Sequence, residues 1–152
     1  QETDLNTIIA ELVQARHLDD KHHIELKLNT IPPLPLRRIA MKRVIDNLIE
    51  NAFKYGSDEI AISSFYNRHE KRVYCKVRDF GPGIPHEELA GVFMPFAQGD
   101  KARNSSGSGL GLAIIRRIIE AHDGEVTLRN HPQQGLVAEF YLPYLAELPD
   151  KK

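Results

Sequence analysis

Three things that this sequence has little of narrow the possibilities before any motif is considered. It has one cysteine, Cys75, so it forms no internal disulfide bond, which fits a reducing compartment. No apolar run approaches the roughly 18 residues that a membrane-spanning helix requires, and no signal peptide opens the chain. Its formal net charge is only -1 at pH 7, whereas nucleic-acid-binding domains are normally basic. We therefore expect a protein that neither inserts into membranes nor binds nucleic acid.

The remaining composition is that of one ordinary globular domain. With 152 residues, of which 41% are hydrophobic and 27% charged, the chain is long enough to bury a core without disulfide bonds. We predict one domain over residues 1–145 and a flexible tail over residues 146–152. Since the chain begins abruptly at Gln1, we interpret it as a fragment of a longer protein.

Hydrophobic periodicity predicts a domain that combines helices with antiparallel strands. Helices are predicted over residues 4–16, 39–55 and 109–122, with a short one near 86–92, and strands over 24–28, 125–129 and 136–142. Two further strands form a hairpin around residues 67–71. This order favours an α+β two-layer sandwich over a doubly wound sheet. Residues 93–108 have no clear period, and a loop of this length indicates either disorder or a functional lid.

A glycine-rich segment, NSSGSGLGLAI, leads into the last predicted helix. Its G-x-G-x-G spacing differs from the dinucleotide-binding fingerprint, and no Lys-Ser or Lys-Thr follows it as a P-loop requires. Gly107, Gly109 and Gly111 nevertheless allow the backbone to approach a ligand at a helix start, where free N–H groups bind phosphate. A flexible hinge without a ligand is the alternative interpretation.

The predicted helix over residues 39–55 carries a polar stripe beside its core face. That core face is formed by Met41, Val44, Ile45, Leu48, Ile49 and Ala52. Asn47, Asn51, Lys54 and Tyr55 lie along the adjacent edge. This edge is either a solvated polar surface or the wall of a site, in which an amide oxygen binds Mg²⁺, lysine pairs with phosphate and tyrosine stacks on a base.

The segment RDFGPGIP places a carboxylate where a strand ends. Val73, Cys75 and Val77 share one strand face, and Asp79 continues their phase towards the interior. Because a buried carboxylate without a partner is costly, a ligand N–H such as the exocyclic amine of adenine would suit this position. Guanine presents a carbonyl oxygen there and would be rejected. The alternative is an aspartate that caps its own glycine turn.

Four motifs in one order give the sequence a family resemblance. NLIENAFKY, DFGPGI, FMPF and GSGLGLAI resemble the asparagine box, first glycine box, phenylalanine box and second glycine box of bacterial sensor histidine kinases. These kinases share an ATPase superfamily with gyrase, Hsp90 and mismatch-repair ATPases. The stretch LPLRRIAMKRVIDNLIENAFKYG is most similar to EnvZ-type osmosensor kinases. The resemblance implies a two-layer α/β sandwich of the Bergerat type, with a mixed sheet packed on three helices and a long ATP lid.

The resemblance also implies roles for individual residues. ATP and Mg²⁺ are the implied cofactors, with Asn51 as the metal ligand and Asn51, Lys54 and Arg103 as the catalytic residues. Asp79 is the implied adenine-reading residue, and Phe96 would help to anchor the lid. The implied nucleotide-binding set is Asn47, Asn51, Lys54, Tyr55, Asp79, Gly81, Gly83, Ile84, Phe96, Arg103, Gly107, Ser108, Gly109, Leu110, Gly111 and Leu112.

Two departures from the family pattern bear on the chemistry. Relatives that hydrolyse ATP have a glutamate one helical turn before the magnesium asparagine, where this chain has Asn47; Glu50 lies about 100° away around the helix. The missing water-activating base fits transfer of the phosphate to a protein side chain. Many family members have an arginine shortly after the phenylalanine box, where this chain has Gln98. Arg103 or Lys101 would supply the positive charge instead.

None of the seven histidines stands in the H-E-[LF]-[RK]-[TS]-P motif that these kinases phosphorylate, and His86 in HEEL is interpreted as a surface residue. The acceptor histidine is therefore expected outside this chain. The resemblance implies a cytoplasmic protein histidine kinase domain that phosphorylates a separate dimerisation domain, which serves a response regulator, within a membrane-anchored parent protein. The alternatives are a degenerate nucleotide sensor without phosphotransfer, a protein-serine kinase of the same superfamily, or an ATPase.

Overall fold

The computed structural model describes residues 2–16, 22–55, 58–89, 91 and 111–144, and folds them into helices packed on one face of a mixed sheet. The helices are α1 (Leu5–Ala15), α2 (Arg38–Tyr55), α3 (His86–Leu89) and α4 (Gly111–Ala121). The strands are β1 (Glu2–Thr3), β2 (His23–Leu28), β3 (Leu34–Pro35), β4 (Glu59–Asn67), β5 (Arg72–Asp79), β6 (Glu125–Asn130) and β7 (Leu136–Pro143).

The main sheet has five strands in the order β2-β4-β5-β7-β6. β2 pairs with β4 in parallel, and the other three pairs are antiparallel, so the sheet is mixed. The predicted hairpin is confirmed as the β4–β5 pair, whose register joins Asn67 to Arg72 at the turn and Ile60 to Asp79 at the far end. The predicted α+β two-layer sandwich is therefore confirmed.

Amphipathic periodicity explains how the helices attach to this sheet. All six residues of the predicted α2 core face are buried, and they join the inward side chains of β4, β5 and β7 in one core. α1 begins after Asp4, whose carboxylate accepts a hydrogen bond from the Asn6 backbone N–H at 2.9 Å, as expected for an N-cap. α1 and α4 both contact α2, which therefore lies between them on the sheet.

Two short elements differ from the sequence predictions, and two predicted segments lie outside the described residues. β1 and β3, which were not predicted from the sequence, form a small antiparallel sheet in which Leu34 buries its side chain beside Thr3. The short third helix ends at Leu89 rather than near residue 92. The predicted lid over residues 93–108 and the predicted tail over residues 146–152 lie outside the described residues. Among the helices that the structure describes, none is both long and apolar enough to cross a membrane.

Candidate nucleotide-binding site

A pocket opens where α2, the end of β5 and the start of α4 meet. Most of its lining residues are apolar, and one amide and one carboxylate lie among them. The lining residues are Leu48, Asn51, Ala52, Val77, Asp79, Ile84, Leu112, Leu128, Leu136 and Ala138. Apolar walls with a few convergent polar groups are typical of small-molecule sites. Four residues of the predicted nucleotide-binding set thus come together here, namely Asn51, Asp79, Ile84 and Leu112.

Asp79 is the buried carboxylate of this pocket. Asp79 is only 5% exposed, which confirms the prediction that its side chain faces inward. Its Oδ1 accepts hydrogen bonds from the backbone N–H of Gly81 at 2.9 Å and of Leu136 at 3.1 Å. The interpretation of Asp79 as a cap of its own glycine turn therefore also holds. Oδ1 of this buried carboxylate is thus already paired with two N–H groups of the protein, and contact with a ligand donor stays a prediction.

The glycine turn after Asp79 forms one edge of the pocket. Gly83 has φ +82, a left-handed conformation that favours glycine. Ile84, only 4% exposed, lines the pocket directly. Its backbone N–H donates to the Asn130 side-chain Oδ1 at 2.9 Å, and the Asn130 Nδ2 donates back to the Ile84 carbonyl at 2.8 Å. The sequence predictions missed Asn130, which stands at the end of β6 outside all four motifs.

Gly135 is a second residue that the sequence predictions missed. It has φ +94, and a Cβ added to it would lie 1.9 Å from the backbone oxygen of Asp79. Only glycine therefore lets the β6–β7 turn pass so close to the end of β5. The sequence signal was present, since a lone glycine before a strand often marks a close backbone approach, but it did not identify the partner.

The residues of the polar stripe of α2 differ in whether they line the pocket. Asn51 is half-buried and lines the pocket, and its role as a metal ligand stays a prediction. Asn47 is half-buried and Lys54 is exposed, and both lie on α2 outside the pocket lining among the described residues. The Tyr55 prediction concerns a side chain outside the described part of the structure.

The second glycine box is described only from its last glycine onward. Gly111 is the first residue of α4, and Leu112 lines the pocket, so the helix does begin beside the site as predicted. Eight residues with predicted or alternative site roles lie outside the described residues, namely Phe96, Gln98, Lys101, Arg103, Gly107, Ser108, Gly109 and Leu110.

Glu50 faces away from the pocket, as its helical angle predicted. Its carboxylate lies 3.5 Å from the guanidinium of Arg16, at the end of α1. The same guanidinium contacts the Asp46 carboxylate at 2.8 Å. The acidic residues nearest to Asn47 and Asn51 along α2 are thus engaged by α1 instead of the site. His86 is exposed, which confirms its interpretation as a surface residue.

Comparison with known proteins places this arrangement in a family. The model of histidine kinase-, DNA gyrase B- and HSP90-like ATPases matches residues 37–146. The alginate biosynthesis sensor protein KinB of Pseudomonas aeruginosa is 39% identical over 120 residues, which are 78% of this chain and 20% of KinB. The sensor histidine kinase WalK of Bacillus subtilis is 38% identical over 112 residues, which are 71% of this chain and 18% of WalK. The chain thus spans about a fifth of the length of these curated relatives.

Solved structures with a similar fold are also sensor histidine kinases. The histidine kinase domain of the E. coli osmosensor EnvZ superposes with a TM-score of 0.73 at 34% identity, covering 95% of this chain and 88% of that one. The mycobacterial sensor histidine kinase MprB gives a TM-score of 0.82 at 24% identity, covering 94% and 97%, which shows a shared fold. The resemblance to sensor kinases of the EnvZ type is therefore confirmed. The chain belongs to the family of histidine kinase-, DNA gyrase B- and HSP90-like ATPases, and its relatives there are sensor histidine kinases.

Proposed function

We propose that this chain binds Mg²⁺-ATP in the pocket and transfers the γ-phosphate to a histidine of a separate phosphoacceptor domain. The observation that carries the proposal is the Asp79 carboxylate, 5% exposed, in an apolar pocket beside the Asn51 amide of α2. ATP supplies the phosphoryl group, and Mg²⁺ neutralises charge on its phosphates. In the parent kinase the phosphoacceptor domain then serves a response regulator on the cytoplasmic side.

Asp79 reads the base by accepting a hydrogen bond from the exocyclic amine of adenine. A carboxylate has two oxygens with about four acceptor sites, and the two backbone N–H groups of Gly81 and Leu136 both bind Oδ1. Both N–H groups fix the carboxylate before the ligand arrives, which reduces the cost of ordering it on binding. A guanine carbonyl oxygen in the same place would face an acceptor, so the pocket discriminates against GTP.

The polar stripe of α2 serves the phosphate end. Asn51 contributes an amide oxygen, a suitable ligand for Mg²⁺, and the exposed Lys54 and half-buried Asn47 lie on the same helix. Arg103 is the proposed additional cation beside the phosphates. Asn47 occupies the position at which hydrolysing relatives have a glutamate, and Glu50 is engaged by Arg16. Without a water-activating base at that position, the site favours transfer to a protein over hydrolysis.

Calorimetry of the chain with a non-hydrolysable ATP analogue and Mg²⁺ tests the binding. We expect saturable binding by the wild type and a loss of more than about 100-fold in affinity for Asp79→Asn, because the amide then presents an N–H to the adenine amine. Asp123→Asn is the matched control, since Asp123 is exposed and its left-handed backbone tolerates asparagine. Equal affinity in both variants, or no heat with the wild type, would refute the binding proposal.

A second assay separates transfer from binding. Labelled ATP is mixed with this chain and with the separate phosphoacceptor domain of an EnvZ-type kinase, and label on the acceptor histidine is the expected result. Binding without label would favour the degenerate nucleotide sensor, for which Gln98 is the motivating residue. Steady release of phosphate without the acceptor domain would favour an ATPase instead.

A further inference from the structure

Asn130 holds the glycine turn of the pocket by an unusual two-point contact. One side-chain amide pairs with both main-chain groups of Ile84, accepting from its N–H at 2.9 Å and donating to its carbonyl at 2.8 Å. The two residues are 46 positions apart in the chain. The contact therefore imitates a backbone ladder pair and attaches the turn to the end of β6, although α3 follows Ile84 instead of a strand.

The turn and Asn130 are also packed against each other. A Cβ added to Gly83 would lie 2.4 Å from the Asn130 Oδ1, so the glycine allows the amide to approach. At its other end the turn is held by the Gly81 N–H, which donates to the Asp79 carboxylate. The four-residue turn from Gly81 to Ile84 is thus fixed at one end by Asp79 and at the other by Asn130.

The β6–β7 hairpin, which carries Asn130, also contacts Asp79 directly. Asn130 pairs with Leu136 across β6 and β7, and the Leu136 N–H donates to the Asp79 Oδ1 at 3.1 Å. Asn130 and Leu136 therefore stand opposite one another and hold the two parts of the pocket that face a base, Ile84 and Asp79. A shift of the turn changes both the Ile84 wall and the Gly81 N–H that orients the carboxylate.

We infer that Asn130 is a positioning residue for adenine recognition, acting through the backbone of Ile84. The inference rests on the proposed function, since it concerns the same pocket. Asn130 touches no reacting group; it sets the geometry in which Asp79 and the turn meet the base. Its loss is expected to weaken ATP binding and to reduce the preference for adenine over guanine nucleotides, while the domain stays folded.

Nucleotide titration of the variant chains tests this. For Asn130→Ala we expect the Kd of an ATP analogue with Mg²⁺ to rise about tenfold, as for the loss of two part-buried hydrogen bonds between neutral groups. We also expect the ratio of GTP Kd to ATP Kd to fall. The Ile84 backbone N–H should exchange with solvent faster than in the wild type, because its acceptor is gone. The exchange readout requires no nucleotide.

Asn67→Ala is the matched control. Asn67 also ends a strand and accepts one backbone N–H, from Glu70 at 3.0 Å, but at the end of β4 away from Asp79. If Asn130→Ala does not fold, Asn130→Asp keeps the shape and the acceptor but sets a carboxylate oxygen against the Ile84 carbonyl, and a rise in Kd of about tenfold is again expected. If the Asn130 variants bind the ATP analogue as tightly as the wild type, the inference is wrong. It is also wrong if Asn67→Ala weakens binding by the same factor. Either result leaves the proposed function intact. A wild type that binds no ATP would refute the proposed function as well.

Discussion

Cys75 shows how strongly the sheet interior controls the chemistry of one side chain. It is fully buried on the inward face of β5, and burial, together with the nearby Glu139 carboxylate, raises the pKa of its thiol to about 12. Because the thiolate is the reactive form, the folded protein keeps this cysteine inert at neutral pH. The residue therefore acts as a small core side chain.

The raised pKa predicts a specific loss of stability in alkali. Below pH 9.0, the ordinary pKa of the thiol, Cys75 is protonated in the folded and unfolded states alike. From there to about pH 12 only the unfolded chain releases the proton, so the free energy of unfolding falls by up to about 1.4 kcal/mol per pH unit. Urea unfolding at pH 7, 9 and 10 should show this extra loss in the wild type relative to Cys75→Ala. Parallel pH profiles of the two proteins would contradict it.

Asp79 and Asn130 mark the limit of what single residues reveal in a sequence. The period of two along β5 was enough to predict that Asp79 faces inward, because the signal lies within one strand. Asn130 contacts Ile84 from 46 positions away, and Gly135 meets the Asp79 backbone across two strands. Those contacts depend on strand pairing, which no local pattern specifies. The inward orientation of Asp79 was therefore predictable, and the residues that contact its backbone and the turn after it were not.

At the scale of elements, His122 joins the end of α4 to the start of α2. Its Nδ1 lies 2.8 Å from the Ile118 carbonyl, and its Nε2 accepts the Arg37 backbone N–H at 3.2 Å. Because Nε2 accepts this hydrogen bond, Nδ1 is the ring nitrogen that donates to the Ile118 carbonyl. One side chain thus satisfies an orphan carbonyl of one helix and an N–H at the start of another.

Removing this link should destabilise the fold without touching the pocket. For His122→Ala we expect the free energy of unfolding to fall by about 1–2 kcal/mol, because one part-buried and one exposed hydrogen bond lose their partner. His69→Ala is the control, since His69 is exposed at the β4–β5 turn, and it should change stability by less than about 0.5 kcal/mol. Urea unfolding of the three proteins measures both values. Equal stability of the two variants would show that the link contributes nothing.

Helices and strands differed in how much the sequence revealed about them. α1, α2 and the inward face of β5 followed from periodicity, because each repeats its apolar pattern over two or more turns or pairs of residues. The β1–β3 pair has only two residues in each strand, too few for any period. The parallel pairing of β2 with β4 was likewise not readable from the residues, since alternation gives a strand its faces but not its neighbour.

At the scale of the whole molecule, the described pocket draws on distant parts of the chain. Asn51 comes from α2, Asp79 from β5, Leu112 from α4, Leu128 from β6 and Leu136 from β7. The core beneath them is continuous from α1 to β7. A ligand that contacts all of these elements therefore stabilises the folded state as a whole, and binding becomes measurable as thermal stability.

Binding of Mg²⁺-ATP should raise the melting temperature of this chain. A ligand at about 100 times its Kd adds about 2.7 kcal/mol to the free energy of unfolding. For a domain of this size that corresponds to a shift of about 5–10 °C. GTP at the same concentration should give a much smaller shift, because Asp79 rejects the guanine carbonyl. Removing Mg²⁺ with a chelator should lower the ATP shift, because under the proposed function Mg²⁺ links the phosphates to Asn51.

Asn51→Ala tests the metal contribution separately from base recognition. Asn51 lies at the α2 edge of the pocket and Asp79 at the end of β5, so the two contributions come from different elements. In Asn51→Ala the ATP shift should become small and nearly independent of the chelator, while the preference over GTP remains. Asn67 lies at the end of β4 that is far from Asp79. In Asn67→Ala the ATP-induced shift in melting temperature and its dependence on Mg²⁺ should therefore match the wild type. A chelator effect of full size in Asn51→Ala would mean that the metal is held by other residues, and the role given to Asn51 would have to be abandoned.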